Sequence, residues 1–315
     1  MKVLLPTNVE LDPHLPTGAV GIHYDPYSLI PDEHLDAGVL VEWSFSSRKM
    51  ADAAARMPDL RLVQSLAAGA DNALAASFAP SVSICSGVGL HDAPVTEHAL
   101  ALILSLVRRL PACLAAQQRH EWSRELGGTQ PLRGEKHITM LRGARVLIWG
   151  FGSIAETLAP VLASLGAEVR GVARTAGQRA GFDVITVEDL PEALPEVDLL
   201  VMILPGTPDT ENALNAERLA MLNERALVVN VGRGSTVDEA ALLEALQDGS
   251  IAGAAIDVTA TEPLPADSAL WDAPNLLVTP HAAGGRPVNA DDLIAANVSA
   301  LLSGEPLKNL VSKGR

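Results

Sequence analysis

The segment Val146-Leu147-Ile148-Trp149-Gly150-Phe151-Gly152-Ser153-Ile154-Ala155 restricts the fold of this chain more than any other. A short apolar run ends on Gly-x-Gly-x-x-Ala and passes directly into a helical pattern over residues 154–165. Gly150 permits a tight strand-to-helix turn. Gly152 lets the backbone approach a pyrophosphate at the positive end of the following helix. Ala155 stands where a third glycine is usual and still allows close helix–sheet packing. Taken alone, Gly-x-Gly is a turn as readily as a ligand site. Between a strand and a helix it points to a dinucleotide, with Gly150, Gly152, Ser153 and Ile154 as the cradle.

The surrounding pattern supports this context. Strands are expected at 145–149, 168–173, 198–204, 227–231, 251–257 and 276–279, alternating with helices at 154–165, 216–221 and 238–247, which describes a doubly wound parallel sheet. Before residue 92, five apolar runs at 2–6, 19–24, 38–41, 60–64 and 82–85 read as a smaller parallel sheet, with an alanine-rich helix over 47–57. One more amphipathic helix is expected over 290–302. At ~150 residues per domain, 315 residues make about two domains. Between the alternations, residues 92–110 read as one helix, capped by Asp92 and stopped by Pro111. Its middle is apolar nearly all round, which places it at a domain junction or a subunit interface.

Composition narrows the function. The formal charge of −15 lacks the Lys/Arg surplus that nucleic-acid phosphates demand, so no nucleic-acid partner is expected. An anionic substrate must then be met by a few local cations. Two cysteines, Cys85 and Cys113, make neither a disulfide framework nor a zinc site and suit a reducing cytoplasm. No apolar run reaches the ~18 residues of a membrane span, and the N-terminus lacks a signal-peptide layout. The expectation is a cytoplasmic protein with neither a metal nor a membrane partner.

Three further strand ends carry chemistry. Asn230-Val231-Gly232-Arg233-Gly234 offers an arginine that can dock a carboxylate bidentately or simply sit on a surface turn. Asp257 to Pro265 offers Glu262, and Thr279-Pro280-His281 offers His281. Each alone is as ordinary as a cap or a solvated side chain. Together, on the carboxyl edge where open parallel sheets bind ligands, they supply what reduction of a 2-oxo acid needs: a cation for the carboxylate, a proton donor for the carbonyl, and a carboxylate to keep that donor charged.

These residues, with Leu66-Ala67-Ala68-Gly69-Ala70-Asp71 and Leu204-Pro205-Gly206-Thr207-Pro208-Asp209-Thr210, resemble the D-isomer-specific 2-hydroxyacid dehydrogenases over nearly the whole chain, closest to the glyoxylate/hydroxypyruvate reductase branch. The resemblance implies an α/β fold of two doubly wound parallel-sheet domains. A Rossmann cofactor domain (93–282) is inserted into a flavodoxin-like substrate domain (1–92 and 283–315). It also implies a homodimer formed through the cofactor domains, with the apolar helix from Asp92 at its centre. By the same resemblance, His281 donates the proton, Glu262 stabilises the protonated imidazole, and Arg233 holds the carboxylate together with the Ala68–Gly69 loop. Leu204, Pro205, Thr210, Val231 and Asp257 match cofactor contacts, Asp257 holding the carboxamide. Formate dehydrogenases share the fold but carry glutamine where Glu262 stands. The extra regulatory domain of many phosphoglycerate dehydrogenases is not expected.

The second strand of the cofactor domain, 168–173, ends on Ala173 where NAD-specific folds place an acid for the ribose hydroxyls. Arg174 and Thr175 follow. Either Arg174 points into solvent, or the pair binds a 2′-phosphate with help from Arg179; the second reading makes NADP the expected cofactor and NAD the second choice. Trp43-Ser44-Phe45-Ser46 either lines the substrate pocket or packs, and Trp122 resembles a tryptophan that reaches a neighbouring active site in the reductase branch. A dinucleotide-sensing regulator without turnover, on the same fold, is the rival function.

Overall fold

The computed structural model describes residues 1–131, 134 and 136–312, and the elements named are those among them. The chain divides into two compact units, Met1–His91 with Arg286–Arg315, and Asp92–Gly285.

The first unit is built on β1 (Lys2–Pro6), β2 (Val20–Tyr24), β3 (Val39–Glu42), β4 (Leu62–Ser65) and β5 (Ser83–Cys85), with helices α1 (Ser47–Arg56) and α2 (Asp71–Ala75). The strands run parallel in the order 2-1-3-4-5 of doubly wound flavodoxin-like sheets. Two late elements complete it: α9 (Ala290–Ser303), and β14 (Leu310–Ser312), which pairs antiparallel with β5. Strand β3 is buried along its whole length, as befits a central strand covered on both faces. The side chains of β1 divide between two cores. Leu4 packs with Leu40, Met50 and Val63, whereas Val3 and Leu5 pack with Ile294 and Val298 of α9.

The second unit carries β6 (Arg145–Trp149), β7 (Glu168–Val172), β8 (Gly177–Arg179), β9 (Phe182–Ile185), β10 (Leu199–Met202), β11 (Leu227–Asn230), β12 (Gly253–Ile256) and β13 (Leu276–Val278). Their order is β13-β12-β11-β10-β6-β7-β9-β8. All pairs are parallel except the β8–β9 hairpin. The order reverses between β6 and β10, and such a switch point opens a crevice for ligands. Helices α3 (Asp92–Val107), α4 (Leu110–Gln118), α5 (Ser153–Ser164), α6 (Leu190–Ala193), α7 (Ala216–Met221) and α8 (Glu239–Gln247) complete the unit. Helix α3 packs against α5, β11 and β12.

The expected single helix over residues 92–110 is in fact two. Helix α3 ends at Val107, Arg109 turns left-handed at φ 52°, and Pro111 lies in the first turn of α4 instead of closing a helix. The first turn leaves its N–H groups unpaired anyway, so proline starts a helix as well as it ends one. The two axes bend by 65°, and no single helix among the described residues is long and apolar enough to cross a membrane.

Candidate active site

Gly150 follows β6 with φ 100°, and a side chain there would lie 2.5 Å from the Ile203 carbonyl at the end of β10. Glycine is therefore required both for the turn and for the close approach at the switch point. Gly152 is the N-cap of α5, and nothing lies within 4 Å of where its Cβ would project. That open space in front of a helix N-terminus fits a pyrophosphate. Ser153 and Ile154 begin α5 half-buried; the Ser153 hydroxyl donates to Asp92 Oδ1 at 2.9 Å. Asp92, expected as the cap, is itself the first residue of α3, and its carboxylate is joined to α5.

Past β7, Arg174 and Thr175 are exposed. Arg179, on β8, donates to the Phe151 carbonyl inside the glycine turn at 2.9 Å and to Thr175 Oγ1 at 2.8 Å. A guanidinium therefore links the turn to the β7 end. Past β10, Leu204 is buried and Pro205 exposed. Thr210 closes this loop: its hydroxyl donates to the Pro205 carbonyl and accepts from Thr207 N at 2.9 Å.

The ends of β11, β12 and β13 are adjacent in the sheet and bring Arg233, Glu262 and His281 to one edge. Buried Val231 leads into the Arg233 turn, which Asn230 clamps: its Oδ1 accepts from Gly232 N at 3.0 Å and its Nδ2 donates to the Arg233 carbonyl at 3.1 Å. A side chain on Gly234 would lie 1.9 Å from the Thr259 carbonyl carbon, so the Arg233 and Glu262 loops meet backbone to backbone. The Arg233 guanidinium is half-buried and donates to the Gly232 carbonyl at 2.8 Å.

Glu262 accepts from Thr259 N at 3.1 Å through Oε1, and its Oε2 lies 2.7 Å from His281 Nδ1. Both side chains stay accessible, at 38% and 46% exposure. His281 itself is left-handed, φ 52°. Asp257 is 1% exposed at its side chain and is surrounded by donors from Thr279, Ala282 and Ala283, with His98 Nε2 at 3.1 Å. The sequence reading did not single out His98, a lone polar ring in an apolar helix.

In the first unit, Ala68 and Gly69 follow β4 half-buried. Trp43 stacks on His91, ring centroids 5.3 Å apart, so it packs within this unit. Trp122 is 94% exposed. Among the described residues there is no group of three His, Cys, Asp or Glu suited to a metal ion.

Residues 100–283 match the family described as D-isomer specific 2-hydroxyacid dehydrogenase, NAD binding domain. A glycerate dehydrogenase of Methylorubrum extorquens is 33% identical over 266 residues, spanning 81% of this chain and 80% of that one. A D-3-phosphoglycerate dehydrogenase of Mycobacterium bovis is 32% identical over 84% of this chain, which spans about half, 49%, of that longer protein. Among solved structures, an NADPH-dependent glyoxylate/hydroxypyruvate reductase from Sinorhizobium meliloti, in complex with NADP and sulfate, superposes with a TM-score of 0.81 at 28% identity, covering 98% and 97% of the two chains.

Proposed function

Because the chain belongs to the D-isomer specific 2-hydroxyacid dehydrogenases, an NAD(P)-dependent oxidoreductase family, we propose that it reduces small 2-oxo acids of the glyoxylate and hydroxypyruvate kind to D-2-hydroxy acids, with NADPH preferred. The observation that carries this reading is the His281–Glu262 pair at 2.7 Å on the strand end neighbouring Arg233. Arg233 holds the substrate carboxylate and polarises the adjacent carbonyl. Glu262 fixes His281 Nδ1 as a donor, leaving Nε2 to pass a proton to the carbonyl oxygen. When bound, the dinucleotide supplies the hydride for the carbonyl carbon. A sensor without turnover is not favoured, since binding a nucleotide requires no such pair.

The NADPH preference rests on Ala173 where an acid would repel a 2′-phosphate, on exposed Arg174, and on Arg179 bonded to Thr175. The similar reductase from Sinorhizobium meliloti was solved with NADP, which supports the reading. A hydrogen bond to a charged group contributes about 1.5–3 kcal/mol, so NADPH should exceed NADH in kcat/KM by at least about tenfold. The test is a panel of glyoxylate, hydroxypyruvate, pyruvate and phenylpyruvate with both reduced cofactors. Arg174→Ala should bring the two cofactors towards parity. Equal efficiency in the unmodified protein removes the cofactor claim; no turnover of any 2-oxo acid removes the enzyme claim.

The reading extends to a cytoplasmic homodimer. The two free cysteines suit a reducing compartment. Leu110 and Leu114 on α4 are 46% and 59% exposed, an apolar face that a second copy would cover. Sedimentation at a single-chain mass of 33.0 kDa would contradict the dimer.

A further inference from the structure

We infer that His98 is a positioning residue for the proton donor His281, acting through the Asp257 carboxylate. This rests on the assignment of His281 above. Three consecutive amides of the His281 loop close on one residue. His281 N–H donates to the Asp257 carbonyl at 2.7 Å, Ala282 N–H to Oδ1 at 2.8 Å, and Ala283 N–H to Oδ2 at 3.0 Å. This run of N–H groups is a nest in which Ala282 and Ala283 face the carboxyl oxygens of Asp257 while His281 faces the backbone carbonyl of the same residue. At its first position His281 holds φ 52°, a conformation that a non-glycine residue keeps only where its surroundings over-determine it. The orientation of the Asp257 carboxylate therefore sets where the imidazole stands.

Two side chains fix that carboxylate. The Thr279 hydroxyl donates to Oδ1 at 2.6 Å, and His98 Nε2 lies 3.1 Å from Oδ1 and 3.0 Å from Thr279 Oγ1. Thr279 belongs to the same segment as His281, two positions before it. His98 does not: it projects from α3, a sixteen-residue helix packed on α5, β11 and β12. Its ring ties the nest to the body of the unit, while Asp257 ties it to the end of β12. The ring nitrogen Nε2 meets Asp257 and Thr279, not the His281–Glu262 pair, so its part is to position rather than to transfer a proton.

The test compares His98→Ala, His98→Gln and Thr279→Val with the unmodified chain. A misplacement of about 1 Å costs up to about a hundredfold in rate, so His98→Ala should lower kcat by about tenfold or more. KM and cofactor Kd should stay within about twofold. The glutamine amide retains a donor near Nε2 and should restore most of kcat. Thr279→Val, which keeps the shape, should lower kcat in the same sense. Hydrogen exchange at the Ala282 and Ala283 amides gives a second readout that needs no turnover: it should accelerate by about tenfold in His98→Ala and return in His98→Gln. Unchanged exchange in His98→Ala, or failure of glutamine to restore it, overturns the inference. So does a rise in KM with kcat intact. An unmodified protein that reduces no 2-oxo acid would instead end the functional reading, and exchange would still decide whether His98 holds the loop.

Discussion

Glu42 and Asp257 are both buried carboxyls at the carboxyl edge of a parallel sheet, one ending β3 in the first unit and one following β12 in the second, 6% and 2% exposed. Their surroundings differ. Two backbone amides and the Thr279 hydroxyl point at Asp257, with His98 beside them. Glu42 has the Ser65 side chain and the Phe45 backbone; burial outweighs both and pushes its carboxyl above the usual range. The same burial moves the Cys85 thiol, on β5 of the same sheet, up to about 11. Burial sets the cost of a charge, and the number of donors decides whether that cost is met. One sheet edge is thereby built around a carboxyl met by several donors, and the other around groups whose charged forms burial disfavours.

The comparison breaks first at its functional end. His281→Ala should lower kcat by about 10²–10⁴-fold, the range of a lost general acid. Cofactor affinity and thermal stability should be nearly unchanged, because the side chain is 46% exposed; steady-state kinetics beside a melting curve checks this. Asp257→Asn comes next. It keeps the shape but turns one acceptor into an NH2 facing backbone donors, so unfolding free energy in urea should fall by about 1–3 kcal/mol and kcat should fall with it. Stability and rate both equal to the unmodified protein's would erase the contrast.

The smallest effect has the opposite sign. With the folded carboxyl of Glu42 raised above its unfolded value, its contribution to stability is fully present below the unfolded value and is lost as pH rises through the folded one. A permanently neutral Glu42→Gln should therefore be more stable than the unmodified chain at pH 7, by about 1 kcal/mol. The gap should close as the pH drops below the ordinary glutamate range. A gap independent of pH would mean that burial does not raise the Glu42 carboxyl.

Much of this was legible in the sequence because strand ends in parallel sheets announce themselves. Gly150 and Gly152 follow an unbroken apolar run, and Arg233, Glu262 and His281 each follow another. What stayed hidden has physical causes. The β8–β9 hairpin escaped because Gly177-Gln178-Arg179 is short, polar and mostly exposed, without the alternation that marks a strand. The C-terminal β14 escaped for the same reason: three residues, mostly exposed, that are a strand only because β5 offers them an edge. Pro111 misled because proline terminates and initiates helices through the same missing N–H. His98 escaped because its partners, Asp257 and Thr279, lie 159 and 181 positions away in sequence order, and no local pattern brings them together.

The pairing of β5 with β14 also bears on how the chain acquires its structure during synthesis. The second unit is continuous, and every strand of its sheet leaves the ribosome before residue 286. The first unit begins earlier but finishes later: Asn297 of α9 donates to Gln64 at 2.6 Å across 233 positions, and Ile294 and Val298 complete the core around Val3 and Leu5. Until α9 emerges, that core lacks one wall, and the apolar face of β1 has no cover. The later-made unit is thus free to fold first as a self-contained insert, while the earlier-made one waits as an incomplete half. That interval, in which sheet surface stands open, is when the nascent chain is most exposed to aggregation and to proteolysis.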